Sequence, residues 1–227
     1  MSFLRDSWNP DALCALLILP VAEPQGWQLL KFDRIPANVV RHTAAGLEFE
    51  VRKSAGPLVH VLREPARVTR LEVRGRFTGS LRVPPDKHWT KGFDDALLRV
   101  GLVEPGGQAL TLVERRTAPE WLRKMDDVLG PKGGVRRIHS FNLATEAQQV
   151  GRVRVHPASD LFLERITATP QPDGHFVIAQ DLPEPLLTTA LWLHADGDDT
   201  GSSFRVVVEQ VQLTLAEAAA PKERHAP

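Results

Sequence analysis

Oxygen-bearing side chains crowd into one short stretch of this 227-residue sequence, Asp196-Gly197-Asp198-Asp199-Thr200-Gly201. A hard cation needs several hard oxygens converging within a tight bend. Asp196, Asp198 and Thr200 at alternate positions before Gly201 match the opening of a calcium loop. Position twelve of such a loop falls on Val207 rather than a bidentate acid. That excludes an EF-hand, but not a sheet-edge calcium site completed by other residues. The same six residues also suit a hairpin turn, because Asp and Gly tolerate left-handed backbone and solvate well. Calcium site and plain turn both stand as readings.

A second polar stretch, residues 84–92, carries His88 and Trp89, and Asp94-Asp95 follow closely. An exposed indole offers a flat apolar face with one donor, suited to stacking on a carbohydrate or anchoring a protein partner. The bland reading is a plug over the end of the fold, since large aromatics are mostly buried. Trp89, His88, Asp94 and Asp95 are the candidate ligand-binding residues. The chain has no tyrosine, which argues against a broad aromatic platform.

Paired carboxylates for glycoside chemistry would come from Asp94, Asp95, Glu114, Glu164 and Glu209. Adjacent residues on a strand point to opposite faces, so Asp94 and Asp95 cannot be the pair and each needs a partner from elsewhere. The eight histidines show no i, i+2 or i, i+4 pair, so one strand or helix face supplies no transition-metal site. His194 stands two residues before Asp196 and either joins its site or is an ordinary hydrogen-bonded histidine. There is no Gly-x-Ser-x-Gly elbow, and the glycine-rich residues 130–134 lack Walker spacing. The single cysteine, Cys14, excludes an intramolecular disulfide framework, and its apolar surroundings point to packing.

The elements that must hold these residues read as strands. Leu47, Phe49 and Val51 alternate with Glu48, Glu50 and Arg52, and Leu71 and Val73 alternate with charged neighbours, as on half-exposed strands. Further short candidates include residues 26–32, 58–62, 96–103, 109–113, 135–141, 150–155, 162–168 and 175–179. Residues 186–194 form a nearly continuous apolar run, the mark of a central strand. The apolar face switches around Glu209 and Gln210, which predicts a bulge. One helix is expected over residues 117–129, behind a Thr117-x-x-Glu120 capping box and before Gly130-Pro131. The fold class is therefore all-β: an antiparallel, jelly-roll-like sandwich with one inserted short helix.

Hydrophobic residues make up 42% of the chain and charged residues 25%, enough for a core of its own. Basic and acidic residues balance at 28 each, so no broad field holds a polyphosphate partner, and nucleic acid is excluded as the expected ligand. Residues 12–22 suit a signal h-region and are too short for a transmembrane span, yet Asp6 and Asp11 precede them. The organisation expected is an N-terminal segment over 1–25, a sandwich domain over 26–215 and a disordered tail over 216–227. Location is periplasmic or secreted if the apolar run acts in export, and cytoplasmic otherwise.

Several segments in order resemble the bacterial family called domain of unknown function 3047. They are Gly26-Trp27 through Phe32 with Ile35-Pro36, Lys53-Ser54-Ala55, Phe93-Asp94-Asp95 leading into Leu98-Arg99-Val100, and Asp196 to Gly201. Leu71-Glu72-Val73-Arg74 stands where that family is expected to have tryptophans. The resemblance implies a bacterial sandwich domain, often behind an export signal, with no assigned activity or catalytic residues. The leading expectation is a non-catalytic module binding a carbohydrate or cell-envelope partner. The alternatives are a polysaccharide-acting enzyme with paired carboxylates, and a structural or assembly subunit.

Overall fold

The computed structural model describes residues 15–130, 133–157 and 159–217. Cys14 and residues 218–227 of the expected tail lie outside the described residues. The elements in chain order are β1 Leu16–Ile18, β2 Trp27–Leu29, β3 Val39–Thr43, β4 Gly46–Arg52, β5 Ala55–Ser80, β6 Ala96–Pro105, α1 Leu112–Thr117, α2 Glu120–Leu129, β7 Val135–Leu143, β8 Val153–His156, β9 Ser159–Ala168, β10 His175–Asp196 and β11 Ser203–Leu215. The strands join in the order β3-β4-β11-β5-β10-β6-β7-β9-β8, with β1 on β11 and β2 on β5. Every pairing is antiparallel except β7 with β9.

Strands β5 and β10 belong to both layers of the sandwich. The first part of β5 pairs with the end of β10, Ala55 opposite Asp196, and its later part with the start, Arg76 opposite His175. Between them the ladder shifts register, at Asp181/Leu186 and again at Thr188/Ala190. Pro65, Pro183 and Pro185 sit exposed in that bend. A proline has no N–H to give a ladder and is placed where the ladder breaks. What reads as several short strands in the sequence is two long strands that turn a corner.

Period-two alternation decides which side chains go inside. Leu47, Phe49 and Val51 of β4, Leu71 and Val73 of β5, and Val206 and Val208 of β11 meet Leu98, Val100 and Leu102 of β6 and Leu191 and Leu193 of β10 in the main core. Each such side chain contributes about 1.5–3 kcal/mol by leaving water. A second cluster covers the outside of the other layer: Val59, Val103, Ile138, Phe162, Ala190 and Trp192 lie under Met125 of α2, with Trp121, Val128 and Leu129 packed against them.

The register shift between Val208 and Gln210 is the bulge expected around Glu209. The helical expectation needs correction. Helix α2 starts at Glu120, and Thr117 instead ends α1, a helix that takes the last two residues of the strand expected over 109–113, whose first three form no strand. The capping box is Thr111 with Glu114. Ala118 is extended, at φ −62 and ψ 143, because the residue before Pro119 is driven out of the helical region. Part of the segment expected to precede the domain belongs to it. Strand β1 pairs with β11, and Leu19 and Val21 are buried in the main core. No helix of the described residues is long and apolar enough to cross a membrane.

Candidate functional site

Because Leu191, Leu193 and Ala195 face the main core, Trp192, His194 and Asp196 share the opposite face of β10. His194 is opposite Arg99 of β6, and Arg99 is opposite Asn142 of β7. Glu164 of β9 lies beside Ser140 of β7 and opposite Arg154 of β8. A polar row thus crosses five strands of one layer. Beside it, Gly101 is opposite Trp192. A Cβ at Gly101 would stand 2.6 Å from Ile138 Cγ2 and 3.2 Å from Trp192 Cβ, so the indole needs the missing side chain.

The row is a buried charge network. The Arg99 guanidinium donates from Nε to Glu164 Oε1 at 3.1 Å, from Nη1 to Asp196 Oδ2 at 2.5 Å, and from Nη2 to the Asp94 carbonyl. Glu164 is wholly buried. It also accepts from Asn142 Nδ2 at 3.0 Å and from Arg154 Nε at 2.6 Å. Arg154 reaches on to Asp94 Oδ1, and His156 Nε2 lies 2.9 Å from Asp94 Oδ2. Burial would raise the Glu164 pKa, but the Arg99 and Arg154 charges outweigh it and hold the group below its ordinary value. Asp94 is likewise held down against burial, by the His156 hydrogen bond and the same two guanidiniums. Burial lowers His194 to about 4, leaving the imidazole neutral at physiological pH. Its Nδ1 faces Arg99 Nη1 at 3.5 Å. A guanidinium only donates, so Nδ1 accepts and the proton of the neutral ring sits on Nε2.

Above this floor lies a cavity of about 120 Å³. Phe32, Trp121, Phe162 and Trp192 form its apolar side, and Asp94, Arg99, His156, Glu164, His194 and Asp196 its polar side. The rings stand nearly perpendicular to one another: Trp121 to Phe162 at 79° and 5.2 Å, Trp121 to Trp192 at 84° and 6.1 Å, Phe162 to Trp192 at 71° and 5.5 Å. These are favourable edge-to-face contacts that make a box. Three buried polar atoms on its wall have no hydrogen-bond partner: Trp192 Nε1, His194 Nε2 and Asp196 Oδ1. Trp192 is only 2% exposed. An unpaired buried donor costs roughly 1–3 kcal/mol, so these atoms suit a guest that supplies partners.

The Asp94-Asp95 pair that follows the second polar stretch meets the 196–201 turn beside this cavity. Buried Asp95 accepts from the Asp199 and Thr200 amides at 3.0 and 2.9 Å and from the Thr200 hydroxyl. It therefore pins the 196–201 turn, and Thr200 Oγ1 also meets Ser202 Oγ at 2.6 Å. Asp95, Asp196 and Asp198 each bring a carboxylate oxygen within 4.8 Å of the others. Burial, the hydrogen bond to Asp196 and repulsion from Asp196, Asp199 and Asp95 push Asp198 up to about 8. It stands protonated near neutral pH, against an Asp196 that stays ionised. Asp95 is raised by burial and by Asp196.

Trp89 and His88 lie behind the wall rather than on it. The Trp89 ring is flanked by the guanidiniums of Arg152 and Arg154 at 4.8 and 4.5 Å, and His88 stacks on it at 5.4 Å. The Trp89 carbonyl accepts from Arg154 Nη1 at 3.2 Å. The loop thus braces the arginine that holds Asp94 and Glu164. Burial takes His88 down to about 4. Of the acids considered for catalysis, Asp94 and Glu164 come together, while Glu209 pairs with Arg76 and Glu114 caps α1. Sequence reasoning passed over Arg99, Arg154, His156, Phe32, Trp121, Phe162 and Trp192 as site residues. The one local signal was Arg99 itself, a lone charge inside the apolar run Leu97-Leu98-Arg99-Val100.

No protein-family model and no curated protein matches the sequence. Among solved structures the chain is similar to the xylan-binding module CBM15, with a TM-score of 0.40 and 11% identity, covering 91% of this chain and 99% of that one. It is similar to the VIP36 exoplasmic/lumenal domain in a Ca2+/Man3GlcNAc-bound form, with a TM-score of 0.40 and 12% identity over 93% of each chain. The apo Crh5 transglycosylase follows at 0.36 and 12%, covering 89% of this chain and 85% of that one. At these scores the likeness says nothing about ligand or chemistry.

Proposed function

We propose that this chain is a binding module whose cavity under α2 takes one ring of a carbohydrate. The observation that carries the reading is the aromatic box with unpaired Trp192 Nε1, His194 Nε2 and Asp196 Oδ1 on its wall. Ring faces cover the C–H face of a sugar, and its hydroxyls both donate and accept. Here two N–H donors and one carboxylate acceptor are already oriented. Arg99 takes Asp196 Oδ2, which leaves Oδ1 to accept from a guest. The cavity of about 120 Å³ opens to solvent, so a ring can enter in part, with its outer substituents left in water.

The same geometry speaks against glycoside hydrolysis by Asp94 and Glu164. An acid catalyst must enter the reaction protonated, and both carboxyls are held ionised by Arg99 and Arg154. A second reading concerns the turn: the closeness of Asp95, Asp196 and Asp198 favours calcium beside the cavity.

Trp121 tests the main reading because it stands at the mouth, half-buried, outside the charge network. Trp121→Ala is expected to weaken binding on a glycan array and by calorimetry about tenfold or more, with an unchanged circular dichroism spectrum. Unchanged binding by a folded variant sinks the proposal.

A further inference from the structure

Charge in the cavity is unevenly shared. Three carboxylates, Asp94, Glu164 and Asp196, line it together with one guanidinium, Arg99. Arg154 joins from behind, so carboxylates outnumber guanidiniums three to two. His194 turns its Nδ1 to Arg99, and His156 faces Asp94. The cations are also turned away from a guest. Each nitrogen of Arg99 already meets Glu164, Asp196 or Asp94, and each nitrogen of Arg154 meets Glu164, Asp94 or the Trp89 carbonyl.

An anionic ring entering here finds three carboxylates and guanidiniums whose every nitrogen already bonds to the protein, so most of the cost of burying its charge falls on it. A cationic group finds the reverse. The π faces of Trp121, Phe162 and Trp192 attract cations, most strongly where water is excluded, and Asp196 Oδ1 lies buried with no bond from Arg99, whose Nη1 takes Oδ2 instead.

From this juxtaposition we infer that the preferred ring carries a protonated amino group: an amino sugar is selected over its neutral counterpart, and acidic sugars are rejected. The inference rests on the cavity being a carbohydrate site. Asp196 is the specificity-determining residue, accepting from the ammonium, while the Trp192 and His194 N–H groups take hydroxyls.

The test is calorimetric titration of the full chain near pH 7 with a glucosamine oligomer, its N-acetylated form and a glucuronate-containing oligomer. The amino oligomer is expected to bind about tenfold tighter than the acetylated one at low salt. Its lead should shrink at about 0.5 M salt, where charges are screened within a few ångströms, and the glucuronate oligomer should not bind. Asp196→Asn should equalise the first two. If that variant fails to fold, the salt titration of the native chain decides alone. Equal, salt-insensitive binding of the amino and acetylated forms, lost in both on Trp121→Ala, overturns the charge preference and leaves the carbohydrate site standing. No binding of these or of any neutral sugar on an array removes the carbohydrate reading, and the inference with it.

Discussion

Glu164 shows how a buried ion becomes structural. With no exposed surface, two arginines and an amide upon it, its removal strands charge instead of releasing it. Glu164→Gln is expected to cost about 3–5 kcal/mol, the range for breaking one side of a buried pair. A urea titration giving less than about 1 kcal/mol would mean that water reaches the network. Asp198 makes the opposite case, a carboxyl whose folded pKa, about 8, stands above its ordinary 3.8. The native state holds that proton more tightly than the unfolded chain, so its stabilising contribution is complete below about pH 4 and declines as pH rises through about 8. His88 and His194, both lowered to about 4, act with the opposite sign between about pH 4 and their ordinary 6.5. The comparison therefore belongs between about pH 6.5 and 8.5. There the melting temperature of the native chain should fall relative to that of Asp198→Asn. Parallel curves for the two proteins would refute the raised pKa of Asp198. Calcium competes with that proton. If the Asp95-Asp196-Asp198 group takes the ion, calcium should raise the melting temperature over a chelator control, and more at about pH 8.5 than at 6. No rise at either pH leaves the segment a turn pinned by Asp95.

Between residues and fold stand the elements, and here the sequence is legible where one local rule decides. The apolar spacing of α2 is plain in Trp121, Leu122, Met125, Val128 and Leu129. Its start is ambiguous in sequence because Thr-x-x-Glu occurs twice in ten residues, at 111–114 and 117–120. Only Pro119, by excluding Ala118 from helix, makes the first box real and ends the first helix. Helix α1 buries nothing and so has no apolar face to announce it. Gly101 is the reverse, a residue silent in sequence whose role appears only against its neighbours. Gly101→Ala is expected to cost about 1–3 kcal/mol, as an overpacked site does. It should also weaken ring binding, because Ile138 and Trp192 must give way. An unchanged denaturation midpoint together with unchanged affinity would show that the close approach is not needed. Strand β1 is a third instance. Removing residues 1–25 uncovers one edge of β11 and takes Leu19 and Val21 out of the core, a loss of about 3–6 kcal/mol at 1.5–3 per side chain. Denaturant unfolding of the truncated chain measures it, and full retention of stability would place that strand outside the cooperative unit.

For the whole molecule, alternation along single strands reveals which residues are inside, but not what they meet. Trp192, His194 and Asp196 could be put on one face of a central strand from spacing alone, and the two polar loops could be named. That Arg99 meets Glu164 and that Arg154 meets both Glu164 and Asp94 depends on the register of β6, β7, β9 and β8, which no local pattern carries. The corner in β5 and β10 was hidden for a related reason. Charged and proline-bearing stretches read as loops between strands, whereas the backbone runs through them from one layer to the other. This threading has a physical consequence. Neither layer owns a complete set of strands: each contains half of β5 and half of β10, and the main core takes side chains from both layers. Pulling one layer apart therefore breaks ladders that continue into the other and opens the shared core. The layers are expected to unfold as one cooperative unit despite the chain's length. Indole emission, to which Trp121 and Trp192 contribute from the site and Trp27 from the core, should follow the same denaturant curve as far-ultraviolet circular dichroism. An emission change that precedes the loss of strand signal would show the cavity layer opening alone, and would contradict the coupling that β5 and β10 impose.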